Sequence, residues 1–214
     1  MQKIRVMPTL LFKDFTLVKG VGYNSWRRVG SAMQAVKVYN MREVDELVFL
    51  DIGANQEGRS PDLATVDEIA DECFMPLTVG GGVRTVEDVR QLLAVGADKV
   101  AINTQAVETP ELVRDVANQF GAQCVVASVD VRRLPNGRYE VYTCSGTRAT
   151  GKDPVDFDRE LAALGAGEIL LSSIERDGTM AGYDLELIRQ VGGAVTIPVI
   201  ASGGAGTYQH LAEA

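Results

Sequence analysis

Two stretches of the chain repeat one another at a distance of 122 residues, and this repeat constrains the fold more than any other feature. The segment VDELVFLDI, which contains Glu46, is matched by AGEILLSSI, which contains Glu168. The segment MPLTVGGGV, which contains Gly82, is matched by IPVIASGGA, which contains Gly204. A repeat of this length indicates two similar halves that pack against one another.

Short apolar runs alternate with helical patterns along the whole chain. Runs predicted to be strands cover residues 4–10, 46–50, 77–79, 99–103, 124–129, 168–171 and 198–201. Because they are apolar nearly throughout, they are typical of parallel strands covered on both faces. With the repeat, they predict an α/β fold, a TIM-type (β/α)8 barrel of two half-barrel repeats. We expect one domain over 1–214, with a first half 1–122 and a second half 123–214.

The repeat also predicts that the eighth βα unit is missing from this chain. The first half continues into ADKVAINT at residues 97–104, and the counterpart of that segment would fall after residue 214. Barrels of this type usually have about 250 residues. A seven-unit open barrel is the alternative, and it would leave two strand edges unpaired.

Composition excludes several classes of partner. The chain has 29 acidic and 21 basic residues and a formal net charge of −8, so we expect no nucleic-acid binding. No apolar run reaches the ~18 residues of a membrane helix, and no signal peptide is predicted. Three cysteines without CxxC spacing favour a cytoplasmic location. With His210 as the single histidine we expect no metal or cofactor, so catalysis would use carboxylates, lysines, hydroxyls and backbone amides.

Two glycine-rich loops at corresponding places in the repeat predict phosphate sites. Residues 80–82 and 203–206 each follow a strand and precede a helix, where backbone amides and the helix dipole favour an anion. One such loop is also common in ordinary tight turns, but two indicate a substrate with one phosphate per half. Asn103 and Thr104 would complete the first site, and Asp177, Gly178 and Thr179 would contribute to the second.

Strand parity places further polar residues on one face. If Asp130 points into the barrel mouth, Ser128 and Val126 share its face, and Ser172 is in phase on a neighbouring strand. The same parity brings four charged residues to the starts of strands. These are Arg5, Glu46, Lys99 and Glu168. They form either a solvated ring that covers the core or a polar gate along the barrel axis.

The sequence resembles the HisF family, the cyclase subunits of imidazole glycerol phosphate synthase. The motifs that carry the resemblance are VDELVFLDI, TVGGGV, GADKVAINT, AGEILLSSIERDGTMAGYD and PVIASGGAG. The resemblance implies a TIM-barrel lyase that receives ammonia from a glutamine amidotransferase partner, HisH, and acts on a phosphorylated small molecule. It also implies that Asp130 is a catalytic acid or base, that Lys19 lies on the active-site loop and that the four charged residues form an ammonia gate. The implied phosphate contacts are Gly82, Asn103, Thr104, Asp177, Gly178 and Gly204. The glycine loops and strand parity add Gly81, Gly203 and Ser172 to the expected substrate contacts.

One position departs from the family pattern. The family begins L-D-V-K-D, and its first aspartate is the second catalytic carboxylate, whereas this chain has Leu11 there. A missing proton-transfer group costs a factor of roughly 10²–10⁴ in rate. Leu11 and the E-C-F-M-P run that begins at Glu72 resemble a HisF-like branch associated with acetamidino-sugar synthesis in surface-polysaccharide clusters. We therefore expect an ammonia-supplying synthase subunit for lipopolysaccharide or O-antigen.

Three alternatives remain open. One is the cyclase subunit of histidine biosynthesis itself. The second is the related two-phosphate sugar isomerase HisA, which also needs a carboxylate on its first strand. The third is a non-catalytic barrel that activates and seals a glutaminase.

Overall fold

The structure, a computed structural model, describes residues 4–214. The described chain forms two compact units, which share some strands at their boundaries. The first extends to Lys19 and continues over Arg27–Ala101, and the second comprises Gly20–Trp26 and Ile102–Ala214.

The first unit is built on parallel strands that alternate with helices. Its elements are β1 (Thr9–Lys13), β2 (Thr16–Val21), β3 (Asn24–Gly30), α1 (Ala32–Met41), β4 (Leu47–Asp51), α2 (Leu63–Glu72), β5 (Leu77–Gly80), α3 (Val86–Ala94) and β6 (Lys99–Ile102). Strands β1, β4, β5 and β6 are parallel neighbours in that order, and β2 pairs antiparallel with β1. The register aligns Leu11 with Leu50 and Leu50 with Gly80, so these residues share one face of the sheet.

The second unit repeats the same architecture. Its elements are α4 (Thr104–Glu108), α5 (Glu111–Phe120), a 3₁₀ turn (Ala122–Cys124), β7 (Val125–Arg133), β8 (Tyr139–Thr143), β9 (Arg148–Ala149), α6 (Pro154–Leu164), β10 (Glu168–Ser173), α7 (Leu185–Gly192), β11 (Val199–Ser202) and α8 (Tyr208–Glu213). Strand β10 lies between β7 and β11, parallel to both. Strands β8 and β9 extend β7 as an antiparallel excursion.

The repeat is visible in how helices begin. The Thr85 hydroxyl accepts a hydrogen bond from the Asp88 N–H, which caps α3. Thr207 lies 122 residues later and accepts from the His210 N–H at the start of α8. Such caps satisfy amides that lack partners within the helix. Equivalent residues therefore begin equivalent helices in the two units.

The alternation of buried parallel strands with helices confirms the predicted α/β fold class of the TIM-barrel type. The missing eighth unit and the halves that meet at residues 122 and 123 stay predictions. The predicted strands were wrong in some details. Strand β1 covers Thr9–Lys13 rather than residues 4–10. The β2–β3 hairpin, whose strands carry exposed polar residues, and strands β8 and β9 were not predicted. Within residues 4–214 no helix is both long and apolar enough to cross a membrane.

Candidate active site

Asp130 is a buried carboxylate near the carboxyl end of β7, in the second unit. Its Oδ1 accepts a hydrogen bond from the Tyr23 phenol at 2.7 Å, and its Oδ2 accepts one from the Asn103 amide at 3.2 Å. The Asn103 amide also donates to the Ser128 carbonyl at 2.9 Å, which orients the amide. Both oxygens of the Asp130 carboxylate are therefore held by neutral donors.

The environment of Asp130 suits proton transfer near neutral pH. Burial, with a smaller contribution from the nearby Asp177 carboxylate, raises the pKa of its carboxyl from 3.8 to about 6. The hydrogen bonds from Tyr23 and Asn103 act in the opposite direction because they stabilise the ionised form. A carboxyl with a pKa of about 6 can both accept and donate a proton near pH 7.

Strand register confirms the predicted polar face in the second unit. Asp130 is aligned with Ser172 of β10, and Ser172 with Ser202 of β11. The same register aligns Val126 with Glu168, at the opposite end of the strands. The carboxylate and two hydroxyls therefore lie side by side where parallel strands end, as polar groups commonly do in the active sites of this fold.

The loop after β10 is shaped by close backbone packing. The Asp177 N–H donates to the Ser173 carbonyl at 3.0 Å, and burial raises the pKa of the Asp177 carboxyl. Gly178 has a φ of +71°, and a Cβ there would lie 2.1 Å from the Gly20 carbonyl oxygen. Gly178 is thus explained by the approach of another backbone segment, whether or not it also contacts a phosphate.

The glycine loops of the two units pack in the same way. A Cβ on Gly81 would lie 2.1 Å from the Asp51 carbonyl oxygen, and one on Gly203 would lie 2.6 Å from the Ser173 carbonyl oxygen. The two glycines and the two carbonyls are each 122 residues apart. Both glycines have positive φ, at +104° and +92°, which side chains rarely adopt. The repeated loops are therefore backbone turns that exclude side chains.

Gly82 and Gly204, which follow these glycines, are also constrained by backbone packing. A Cβ on Gly82 would meet the Arg59 carbonyl oxygen at 2.4 Å, and one on Gly204 would meet the Gly182 carbonyl oxygen at 2.1 Å. The Gly182 N–H in turn donates to the Gly204 carbonyl at 2.8 Å. Anion binding at the four loop glycines stays a prediction.

Asn103 and Thr104 begin α4 in the second unit, whereas Gly81 and Gly82 belong to the first. The Thr104 hydroxyl accepts a hydrogen bond from the Cys144 N–H at 3.3 Å. The predicted convergence of the two pairs on one phosphate therefore stays a prediction.

Leu11 and Lys19 lie on β1 and β2 of the first unit. Leu11 is half-buried and is paired with Val18 and Leu50. Lys19 is exposed, but it lies within strand β2, so its predicted place on a loop is wrong. Catalytic roles for both positions stay predictions.

Three of the four predicted gate residues form one ionic cluster in the first unit. The Lys99 ammonium donates to both carboxylate oxygens of Glu46, at 2.9 and 3.1 Å, and the Arg5 guanidinium donates to Oε1. Lys99 begins β6 and Glu46 immediately precedes β4, whereas Arg5 lies four residues before β1 and not at a strand start. The side chain of Glu46 is 8% exposed, so it depends on these two cations. Glu168 begins β10 in the second unit, and its place in the gate stays a prediction.

Two residues that hold buried carboxylates were not predicted from the sequence, Tyr23 in the second unit and Arg59 in the first. Tyr23 was not singled out because it is 107 residues from Asp130 and lies in the hairpin that was not predicted. The V-G-Y-N run at residues 21–24 was the available signal, since a glycine inside a β-rich run suggests a tight turn. Arg59 was also missed, and its guanidinium donates to both oxygens of the buried Asp51 carboxylate, at 2.6 and 3.1 Å.

Comparison with known proteins agrees with this arrangement. The model of the family described as "Histidine biosynthesis protein" matches residues 5–214. The imidazole glycerol phosphate synthase subunit HisF of Alkaliphilus metalliredigens (strain QYMF) is 50% identical over 210 residues, which are 98% of this chain and 83% of that protein. With a parallel α/β fold and a family match over nearly its whole length, the chain belongs to the HisF family of histidine biosynthesis proteins.

Proposed function

We propose that this chain is the cyclase subunit of an imidazole glycerol phosphate synthase. The observation that carries the proposal is the 50% identity, over 98% of the chain, to a subunit of that enzyme. Of the two leading expectations from the sequence, this one is favoured over acetamidino-sugar synthesis. The enzyme would be a cytoplasmic lyase, a location that three cysteines without CxxC spacing favour.

Asp130 is the proposed acid–base group. Its carboxyl has a pKa of about 6, so near pH 7 it is mostly ionised and able to accept a proton from the substrate. Asn103 fixes one of its oxygens by a bond of 3.2 Å. The proton accepted in one step is available for return in a later step, because the pKa is close to the working pH.

The substrate would be held by its two phosphates. The first phosphate is assigned to Gly81, Gly82, Asn103 and Thr104, and the second to Ser172, Asp177, Gly178, Gly203 and Gly204. Positive φ at the loop glycines supports this assignment, since it allows backbone amides to face an anion. The Asp177 N–H donates to the Ser173 carbonyl, so Asp177 would shape the loop around the second phosphate rather than donate a hydrogen bond to it. Lys19, which is exposed on β2, would offer a cation to the substrate.

Ammonia would enter through the ionic cluster of Arg5, Glu46 and Lys99, with Glu168 as the fourth member. Glu46 is held by two cations, so it can exchange one of them for an incoming donor without being left unpaired. A HisH-type glutamine amidotransferase is the proposed partner and source of ammonia. Removal of the Lys99 charge should then alter the coupling between glutamine hydrolysis and product formation.

Leu11 favours a second candidate function. The cyclase pattern requires a carboxylate where Leu11 stands, and leucine cannot transfer a proton. A protein that only conducts ammonia to a separate sugar amidotransferase, or only activates its glutaminase, would tolerate this change. Supply of ammonia for an acetamidino sugar is therefore the second candidate.

Ammonia-dependent turnover of the imidazole precursor by the full chain separates the two functions. We expect turnover by the wild type, a gain in Leu11→Asp, and a loss of roughly 10²–10⁴ in Asp130→Asn. Leu11→Asn is the matched control, because it has the size of aspartate without its acidity, and it should give no gain. Absence of turnover in both the wild type and Leu11→Asp would overturn the cyclase proposal in favour of the second candidate.

A further inference from the structure

The tip of the β2–β3 hairpin places an aromatic residue in a strained conformation. Gly22 and Tyr23 are the two residues between the strands, and their φ values are +57° and +61°. Two positive φ values indicate a type I′ turn, in which glycine, asparagine or aspartate is usual at both positions. A left-handed conformation costs a non-glycine residue roughly 1–2 kcal/mol. Other contacts must therefore hold Tyr23 in place.

Several contacts within the second unit hold this tip. The Gly22 N–H donates to the Asp177 carbonyl at 2.9 Å. The absence of a side chain on Gly178 leaves room for the backbone of the hairpin. The Tyr23 ring packs against Gly146, where a Cβ would lie 2.8 Å from ring atom Cδ2 and 3.2 Å from Ile174. Two glycines far from the hairpin in sequence thus make room for it: Gly146 for the Tyr23 ring and Gly178 for the backbone at Gly20.

These contacts aim the Tyr23 phenol at Asp130. The phenol oxygen lies 2.7 Å from Oδ1, a short hydrogen bond of the kind made to a carboxylate. Burial of the phenolic group raises its pKa well above 10, and the Asp130 charge adds to this effect. Tyr23 therefore stays protonated and acts as a donor throughout the working pH range.

We propose that Tyr23 is the positioning residue of Asp130: its phenol fixes one carboxylate oxygen and favours the ionised carboxylate, which leaves the other oxygen, shared with Asn103, for the substrate. The role does not require Tyr23 to exchange protons. Its catalytic consequence rests on the proposed cyclase function, whereas its effect on the Asp130 carboxyl does not.

The groups around Asp130 determine in which direction its pKa changes when the Tyr23 hydroxyl is removed. Tyr23 approaches from the hairpin, Asp177 from the loop after β10, and Tyr142 is aligned with Asp130 on β8. Asn103 and Ser172 are uncharged. If the Tyr23 hydroxyl is removed, burial and the Asp177 charge still raise the pKa of Asp130, and of the two hydrogen bonds that lower it only the one from Asn103 is left. The pKa of Asp130 should then rise.

The test is a carbon-13 NMR titration of the full chain with labelled aspartate carboxyls, in which Asp130→Asn assigns the resonance. We expect a midpoint near 6 in the wild type and a midpoint about 1 pH unit or more higher in Tyr23→Phe. Tyr142→Phe is the matched control. It removes a neighbouring phenol without removing a bond to Asp130, so the midpoint should not move. An equal midpoint in Tyr23→Phe and wild type would overturn the proposal.

A second measurement needs no variant of Tyr23 to fold. In wild-type protein with labelled tyrosine Cζ, the Tyr23 resonance should shift with the same midpoint as the Asp130 carboxyl. If the chemical shift of Tyr23 Cζ does not change as the Asp130 carboxyl titrates, the proposal is overturned. In turnover assays the acidic limb of kcat/KM for Tyr23→Phe should move upward with the carboxyl midpoint. If no cyclase activity exists, only the proposed function fails, because both NMR readouts are independent of substrate.

Discussion

Asp158 predicts a pH-dependent loss of stability. It lies on α6 and is fully buried, and among residues 4–214 neither of its carboxylate oxygens has a hydrogen-bond partner. Burial raises the pKa of its carboxyl from 3.8 to about 7, with a further contribution from the Asp153 charge. The folded protein therefore binds a proton between about pH 4 and pH 7 that the unfolded chain releases.

The proton bound by Asp158 in the folded state determines how the stability of the protein changes with pH. Because the folded state holds the extra proton, the stabilisation is present at low pH and is lost as the pH rises towards 7. Between pH 5 and pH 8 the loss is about 3 kcal/mol for a pKa of about 7. Asp158→Ala removes the titrating group and leaves a small cavity that costs about 1 kcal/mol at both pH values.

Urea unfolding of wild type and Asp158→Ala at pH 5 and pH 8 measures this difference. We compare the free energy of unfolding of the alanine variant with that of the wild type at each pH. This difference should shift in favour of the variant by about 3 kcal/mol between pH 5 and pH 8. Asp156→Ala is the control. The Asp156 side chain is 79% exposed on the same helix and bonds only to Arg159 in the following turn, so its loss should matter little at either pH. An Asp158→Ala effect that is equal at pH 5 and pH 8 would refute the reasoning.

Two further predictions concern the ionic cluster of the first unit and the glycine loop of the second. Lys99→Met should reduce the free energy of unfolding in urea melts by about 3 kcal/mol, because it removes one of the two cations bound to the buried Glu46 carboxylate. The double variant with Glu46→Gln should recover most of this loss. Gly204→Ala should lower the thermal midpoint, because its Cβ would meet the Gly182 carbonyl oxygen at 2.1 Å. Gly192→Ala at the end of α7, where a Cβ meets nothing within 4 Å, should instead raise it by an amount equivalent to about 0.5–1 kcal/mol. Equal midpoints for the two alanine variants would contradict the packing argument.

Features that repeat or alternate along the chain could be predicted from the sequence. Strand parity placed Asp130, Ser128 and Val126 on one face, and the register with β10 confirms it, because side chains in a strand alternate by covalent geometry alone. The repeat likewise paired Gly81 with Gly203, and both proved to be turns against the carbonyls of equivalent residues. The pairing of Lys99 and Arg5 with Glu46 followed from the need of buried charges for partners.

Contacts that depend on long-range packing were decided only by the tertiary structure. The bond from Tyr23 to Asp130 joins residues 107 positions apart, and it requires a turn conformation that tyrosine does not favour by itself. The helical pattern around Asp158 gave no sign that this carboxylate would be buried without a partner, because burial is a property of neighbouring elements. Local sequence determines which way a side chain points, but only the folded chain determines what it meets there, and the pKa of a buried carboxyl follows from what it meets.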